Sequence, residues 1–297
     1  MEFLYFLSEI RNDFLDIFFT ICTYFGEEVI LVGIFAISFW CINKKLAYRI
    51  AFTYFSSGLI IQGIKVSCRI VRPWVRDPAF KPVESALNGA TGYSFPSAHT
   101  QSSTSIYGTL ALYFKKNWLF IVTSIIIALV MLSRMYLGYH TPADVCVGLI
   151  VTYAVAVIVD FISRNCKSNK KTDIFVMLCF IVASIIATAY SYWLIFTGQT
   201  TAVLAMDYFK LTGASLGFGI AWFIEKNYIN FDPAKGKIHY QILKVVVGLA
   251  VALALKSGIK VIFGDTTVVS MVRYFVVIMW VACIYPFIIK KINEGHA

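Results

Sequence analysis

Long apolar runs separated by short polar clusters fill most of the chain and predict a bundle of membrane-spanning helices. A helix needs about 20 apolar residues to cross the hydrocarbon core of a bilayer. We predict nine spans, at 29–42, 47–67, 96–114, 118–136, 142–162, 174–196, 203–224, 242–263 and 267–289. Residues 1–25 are apolar but carry Glu9, Arg11 and Asp13, so they predict an interfacial or half-inserted amphipathic helix before the first span. The predicted fold class is all-α, a polytopic transmembrane helical bundle.

The composition supports this prediction and excludes an ordinary soluble or disordered protein. Hydrophobic residues make up 59% of the chain and charged residues 14%, whereas soluble domains are about 45–50% apolar and about a quarter charged. The net charge of +10 is spread over short clusters between apolar runs, so we expect no nucleic-acid partner. The seven cysteines form no CxxC pair and give neither a disulfide framework nor a metal-binding spacing.

Basic residues alternate along the chain in a way that predicts its topology. They follow every odd-numbered span: Lys44 and Lys45, Lys115 and Lys116, Arg164 and Lys167, Lys226, and Lys290 and Lys291. The positive-inside rule makes those loops cytoplasmic and directs the other loops outward. The longest outward loop, roughly 68–95, breaks the rule with four cations: Arg69, Arg72, Arg76 and Lys81. Positive charge on that side indicates an anionic ligand.

Two cations precede a proline at the outward end of the second span. Lys65 and Arg72 are seven residues apart, which places them on nearly one face of a helix, and Pro73 discourages continuation of that helix. Two cations on one face near a membrane surface suit a phosphate group. The alternative is a pair of snorkelling side chains at a helix end.

A Pro-Ser-Ala-His sequence begins the third predicted span. Pro96 fits the first turn of a helix, with the cap at 94–95. We expect the N–H groups of Ser97, Ala98 and His99 to point out of this terminus, where they could hold an anion. Taken alone, the stretch is better explained by a capped helix start beside an interfacial histidine.

A third polar stretch joins the fourth and fifth predicted spans. Gly138 permits a tight turn, and Thr141 can cap a helix that begins at Pro142. Asp144 then lies in the first turn and can reach back to His140. A carboxylate on one imidazole nitrogen fixes the tautomer and leaves the other nitrogen nucleophilic. The alternative is a helix cap beside an interfacial histidine.

Together the three stretches resemble the signature of the type 2 phosphatidic acid phosphatase superfamily, K-x(6)-R-P, P-S-G-H and S-R-x(5)-H-x(3)-D. The matching residues are Lys65, Arg72 and Pro73, then Pro96, Ser97 and His99, then Ser133, Arg134, His140 and Asp144. Ala98 stands where the family usually has glycine. Alanine is strained there only if the position requires a positive φ.

The resemblance implies a role for each of these residues. The implied phosphate-binding set comprises Lys65, Arg72, Arg134, Ser97 and Ala98. His140 would attack phosphorus and form a phosphohistidine, with Asp144 orienting it. His99 would protonate the leaving group and then activate water. No metal or other cofactor is expected, because three cations supply the electrostatic stabilisation.

The implied protein is an integral membrane lipid phosphate or diphosphate phosphatase with an extracytoplasmic active site, and we expect it in a bacterial plasma membrane. Undecaprenyl pyrophosphate and phosphatidic acid are the leading substrates, and phosphatidylglycerol phosphate and a sphingoid-base phosphate are also compatible. A lipid phosphotransferase and a transporter or flippase of phosphorylated lipid are the alternatives. The expected partners are the lipid substrate and the bilayer, and a homo-oligomer is compatible with the sequence.

The basic loop at 163–173 divides the chain into two predicted parts. We expect residues 1–165 to form the catalytic core, with the interfacial helix and spans one to five. Residues 166–297 form a four-span extension, packed on the core, for which no motif indicates a role.

Overall fold

The computed structural model describes residues 1–84, 92–234 and 237–295, and it forms no strand in these ranges. Its α-helices are α1 (Glu2–Glu9), α2 (Asp13–Tyr24), α3 (Glu28–Ile37), α4 (Lys44–Cys68), α5 (Pro73–Arg76), α6 (Ala98–Ser103), α7 (Thr109–Phe114), α8 (Asn117–Tyr136), α9 (Pro142–Asn165), α10 (Lys170–Phe196), α11 (Ala202–Ile224), α12 (Ile238–Phe263), α13 (Thr267–Met279) and α14 (Tyr285–Gly295). Four π-helical segments continue them, at Ser38–Ile42, Thr104–Gly108, Glu225–Ile229 and Trp280–Ile284. The predicted all-α class is confirmed, with 82% helix.

Among the described residues, five helical segments are long and apolar enough to cross a membrane. They are α8, α9, α10, α12 and the continuous stretch Thr267–Glu294. The pair Asp13–Tyr24 and Glu28–Ile42, bent by 44°, adds a sixth if it counts as one span. All nine predicted segments are helical, but the count of nine spans is not confirmed.

The remaining predicted spans differ from the five in composition and continuity. Residues 98–114 are built from three short helical pieces and carry a run of Ser and Thr side chains. Helix α4 begins with Lys44 and Lys45, and α11 contains the ion pair between Asp207 and Lys210. Polar side chains of this kind lower the hydropathy of a helix without preventing its formation.

The N-terminal interfacial helix is not confirmed, because residues 1–25 form two helices. The first helix ends at Glu9, and Asn12 caps the second, since its side chain accepts a hydrogen bond from the Leu15 N–H. The second helix, α2, is one half of the bent pair. The charged residues that we assigned to one amphipathic helix therefore lie around the break between two helices.

One compact unit comprises Met1–Gly33 and Arg49–Arg164. In it, Arg11 ties the N-terminal helices to the end of α8, donating from Nη2 to the Tyr136 carbonyl at 2.8 Å and from Nη1 to the Lys81 carbonyl at 2.6 Å. The Tyr136 hydroxyl donates to Asp16 at 2.7 Å. These bonds fix α1 and α2 beside the connection that follows α8.

The second unit comprises Ile34–Tyr48 and Asn165–Ala297. Its helices α11 and α13 run parallel and approach each other at two glycines. A Cβ at Gly213 would lie 2.0 Å from the Met271 carbonyl oxygen, and one at Gly217 would lie 2.9 Å from that of Phe275. The two backbones therefore touch directly. The predicted assignment of a catalytic core to 1–165 and an extension to 166–297 concerns function and stays a proposal.

Candidate active site

The connection between α8 and α9 is a tight turn that buries His140. The Arg134 carbonyl accepts the backbone N–H groups of Tyr139 at 3.0 Å and His140 at 3.2 Å. Gly138 has a φ of +88°, and a Cβ there would lie about 3 Å from Phe80 and Pro82. The turn leaves the His140 side chain 2% exposed.

The Asp144 carboxylate gathers three groups on one buried oxygen. Its Oδ2 accepts the Ser94 hydroxyl at 2.5 Å and the Thr141 N–H at 2.9 Å, and it lies 3.3 Å from His140 Nδ1. Asp144 is in the first turn of α9, four residues after His140. The sequence predicted this pairing, but it did not indicate the contribution of Ser94, which comes from a separate segment.

Arg72 lies against the other nitrogen of the same imidazole. Its Nη1 is 3.1 Å from His140 Nε2 and 3.3 Å from the Tyr139 carbonyl. A guanidinium can only donate, so Nε2 is assigned as the acceptor and Nδ1 as the protonated nitrogen that faces Asp144. This tautomer places an unshared electron pair on Nε2, beside a fixed positive charge.

Arg134 supplies a second buried guanidinium. It is 4% exposed, donates from Nη1 to Thr23 Oγ1 at 2.9 Å, and lies over the Tyr139 ring with 3.6 Å between its Cζ and the ring centroid. The Thr23 contact was not predicted, because α2 lies outside the three sequence stretches. It shows that the N-terminal helices contribute to the site.

The positive surroundings keep His140 neutral. Burial first, and then the charges of Arg72, Arg134 and Lys65, hold its pKa well below the ordinary value of 6.5. At physiological pH the imidazole is therefore neutral, with its single proton on Nδ1, and this is the nucleophilic form.

Lys65 binds backbone oxygens. Its Nζ donates to the carbonyls of Tyr93 at 2.9 Å, Ser94 at 3.2 Å and Pro96 at 2.7 Å. These three acceptors match the three protons of an ammonium group. Lys65 therefore holds the 93–96 segment in place, and its predicted contact with a phosphoryl oxygen stays a proposal.

The helix that carries His99 begins two or three residues later than predicted. Ser97 is its N-cap, accepting the Thr100 N–H on its hydroxyl at 3.4 Å, so the predicted cap at 94–95 is wrong. The Ser97 N–H donates to the Asp144 carbonyl at 2.9 Å and is not an open anion donor. Ala98 is the first helical residue and is not among the positive-φ positions, so its replacement of glycine introduces no such strain.

His99 faces a carboxylate that lies outside the motifs. Its Nε2 is buried, makes no hydrogen bond to the residues that the structure describes, and lies 3.8 Å from Glu27 Oε1. Glu27 is not among the site residues that the sequence predicted. The available signal was its position at the predicted outward end of span one, on the same side as the motifs.

No group of three or more His, Cys, Asp and Glu side chains within 1–84, 92–234 and 237–295 is placed to hold a metal ion. The three cations around His140, Arg72, Arg134 and Lys65, outnumber the single carboxylate of Asp144, and such a set repels a metal ion and attracts an anion. The predicted metal-free reaction is a matter for experiment.

Two family models match this chain. One, described as PAP2 superfamily, matches residues 46–167, and a second, described as PAP2 superfamily phosphatase, transmembrane extension, matches residues 209–295. The first range contains all three motifs, and the second lies in the part for which the sequence offered no motif. No solved structure matches the chain.

Curated relatives are lipid phosphate phosphatases by name. A probable sphingosine-1-phosphate phosphatase of Dictyostelium discoideum is 30% identical over 161 residues, 49% of this chain and 38% of the relative. Sphingosine-1-phosphate phosphatase 1 of Rattus norvegicus is 22% identical over 278 residues, 86% of this chain and 62% of the relative. Lipid A 4'-phosphatase of Bacteroides thetaiotaomicron is 24% identical over 183 residues, 58% of this chain and 80% of the relative. The match thus spans less than two thirds of the first two relatives.

Proposed function

Because the chain belongs to the type 2 phosphatidic acid phosphatase (PAP2) superfamily, we propose that it is an integral membrane phosphatase that hydrolyses a lipid phosphate ester. The observation that carries the proposal is the state of His140. Its Nδ1 is held by Asp144, its Nε2 lies beside Arg72, and its pKa is lowered by burial and the neighbouring cations. These are the properties of a nucleophilic imidazole poised for an anionic electrophile.

In the first half of the reaction, His140 Nε2 attacks phosphorus and the bond to the lipid oxygen breaks. His99 gives a proton to that oxygen, so the lipid leaves as an alcohol. Arg72 and Arg134 stabilise the negative charge that develops on the phosphoryl oxygens. Asp144 stabilises the positive charge that His140 acquires when it is phosphorylated.

In the second half, neutral His99 takes a proton from water, and the resulting hydroxide attacks phosphorus. The phosphorus–nitrogen bond breaks and inorganic phosphate leaves. Lys65 supports both halves by holding the 93–96 segment and by adding positive charge. The first-turn amides of Ala98 and His99 remain candidate phosphoryl donors, since first-turn amides lack an acceptor within their helix.

The relatives favour a phosphomonoester substrate. Sphingosine-1-phosphate and the 4'-phosphate of lipid A, in the names of the relatives, are both monoesters on a lipid. A preference for monoesters places a sphingoid-base phosphate and phosphatidic acid ahead of undecaprenyl pyrophosphate, and the names of the relatives place the sphingoid-base phosphate first of the two.

We retain the nine-span topology and the extracytoplasmic, bacterial plasma-membrane site as finer proposals. The catalytic role belongs to residues 1–165 in this proposal. A lipid phosphotransferase would share the phosphoenzyme and differ only in its acceptor. A transporter has less support, because the two charged residues within predicted span seven, Asp207 and Lys210, pair with each other at 2.8 Å.

The test is phosphate release from purified protein in detergent. The substrates are sphingosine 1-phosphate, phosphatidic acid and undecaprenyl pyrophosphate, and His140→Ala is the control. We expect release by the wild type, most rapidly from a monoester, and none by the variant. Equal release by both proteins, or none from any of the three substrates, would contradict the proposal.

A further inference from the structure

A single helix end outside the motifs reaches both Arg134 and the face of His99. Thr23 Oγ1 accepts the Arg134 hydrogen bond, and Glu27 Oε1 lies 3.8 Å from His99 Nε2. Thr23 lies in the last turn of α2, and Glu27 lies in the turn that follows, where the Gly26 N–H donates to the Thr23 carbonyl and the Glu27 N–H to the Tyr24 carbonyl. The end of α2 and this turn thus present one neutral and one acidic group to the site.

Gly26 makes this approach feasible. A Cβ at this position would lie 2.8 Å from Val130 Cγ1, 3.0 Å from the His99 carbonyl oxygen and 3.2 Å from His99 Cβ. Only a residue without a side chain allows the chain between α2 and α3 to pass so close to α6. The neighbouring carboxylate is therefore held near His99 by backbone packing.

His99 needs such a partner because its other charged neighbours are cationic. Burial of the ring comes first among the causes that oppose a second proton on the imidazole, followed by Arg134 from α8 and Arg72 before α5. His140 in the turn after α8 also opposes it whenever His140 is protonated. Glu27 is the neighbouring group that favours the proton. A general acid must hold that proton before the lipid oxygen leaves.

We propose that Glu27 is a positioning residue that favours the protonated form of His99 and directs which nitrogen transfers the proton. This inference rests on the proposed phosphatase function. Glu27 holds the proton on Nε2, and Nδ1 is the nitrogen that gives its proton to the lipid oxygen and later takes one from water. The distance of 3.8 Å is longer than a hydrogen bond, and catalytic contacts of this kind tighten when substrate binds.

The experiment compares two leaving groups in Glu27→Gln. The substrates are sphingosine 1-phosphate, whose primary alkoxide needs a proton to leave, and p-nitrophenyl phosphate, whose phenolate does not. We expect kcat to fall roughly 10- to 100-fold on the lipid and less than about threefold on the phenyl ester. The loss on the lipid is a part of the roughly 10²–10⁴-fold that general acid catalysis typically contributes, because His99 itself remains. The ratio of the two rates is independent of how much of the variant is folded.

The pH profile and two further variants complete the test. The basic limb of kcat/KM on the lipid moves to lower pH in Glu27→Gln, because the acid form of His99 loses its proton more easily. Glu27→Asp should restore part of the lost rate ratio between the two substrates and move the basic limb part of the way back. Glu28→Gln, which alters the adjacent exposed acid, should change neither the ratio nor the limb.

If kcat in Glu27→Gln falls equally on both substrates and the basic limb of kcat/KM stays in place, Glu27 has a merely structural role and the inference is overturned. Unchanged rates in Glu27→Gln would also overturn it. The proposed phosphatase function stands or falls separately, on phosphate release by the wild type and its loss in His140→Ala.

Discussion

Replacing Asp144 by asparagine removes one charge from the centre of the site and leaves the backbone in place. The carboxylate oxygen Oδ2 is buried and lies 3.3 Å from His140 Nδ1. A hydrogen bond to a charged group contributes about 1.5–3 kcal/mol, and about 1.4 kcal/mol changes a rate tenfold. We therefore expect phosphorylation of His140 to slow roughly 10- to 150-fold in Asp144→Asn, without disappearing, because the nucleophilic nitrogen remains.

The assay is rapid-quench trapping of the radiolabelled phosphoenzyme with p-nitrophenyl phosphate, so that leaving-group protonation is not limiting. Ser94→Ala is the matched control, because it removes a hydrogen bond onto the same oxygen while keeping the charge. The rate of phosphorylation should fall less in Ser94→Ala than in Asp144→Asn. His140→Ala should give no label at all.

Three results would refute the reasoning. Label in His140→Ala would move the nucleophile elsewhere. Complete loss in Asp144→Asn with an unchanged unfolding temperature would mean that the carboxylate does more than orient and stabilise. An Asp144→Asn rate equal to that of the wild type would mean that its charge is not used.

Four further outcomes are expected. The acidic limb of kcat/KM should lie below pH 6.5, because a lowered pKa keeps His140 neutral as the pH falls through the ordinary histidine range; a limb at or above 6.5 contradicts this. Activity should survive excess EDTA, and its loss with recovery on added Mg²⁺ would overturn the metal-free mechanism. In variants that keep a single native cysteine, an impermeant maleimide should label exposed Cys68 in intact cells and exposed Cys166 only after permeabilisation; the reverse pattern would invert the topology. Gly213→Ala should lower the free energy of unfolding by about 1–3 kcal/mol or more, because its Cβ would overlap the Met271 backbone. Gly258→Ala has open space around it and should be neutral or up to about 1 kcal/mol more stable. Thermal unfolding in detergent measures both changes.

The fold class could be predicted from the sequence because apolar periodicity reports directly on helices. The number of spans could not, because hydropathy does not distinguish a spanning helix from a polar helix that forms within a bundle. Residues 98–114 illustrate this: they are helical, yet three short pieces with Ser and Thr side chains replace one apolar span. Likewise, only the structure shows that Asn12 divides the N-terminal stretch into two helices.

The pairing of His140 with Asp144 was predicted because both residues lie within four positions of each other. The contacts of Thr23 with Arg134 and of Glu27 with His99 join positions 111 and 72 residues apart, where no local pattern operates. The hydrogen-bond acceptors of Lys65 could not be predicted either, because they are backbone carbonyls, which every residue has.

The contact between Thr23 and Arg134 has a consequence for exchanging parts between related proteins. A chimera that keeps residues 46–167 and takes its N-terminal helices from another source retains every signature residue. It loses the hydrogen bond that holds Arg134 and the close approach at Gly26. The smallest transplantable piece of this protein is therefore discontinuous in sequence: the signature region together with the turn at 23–27.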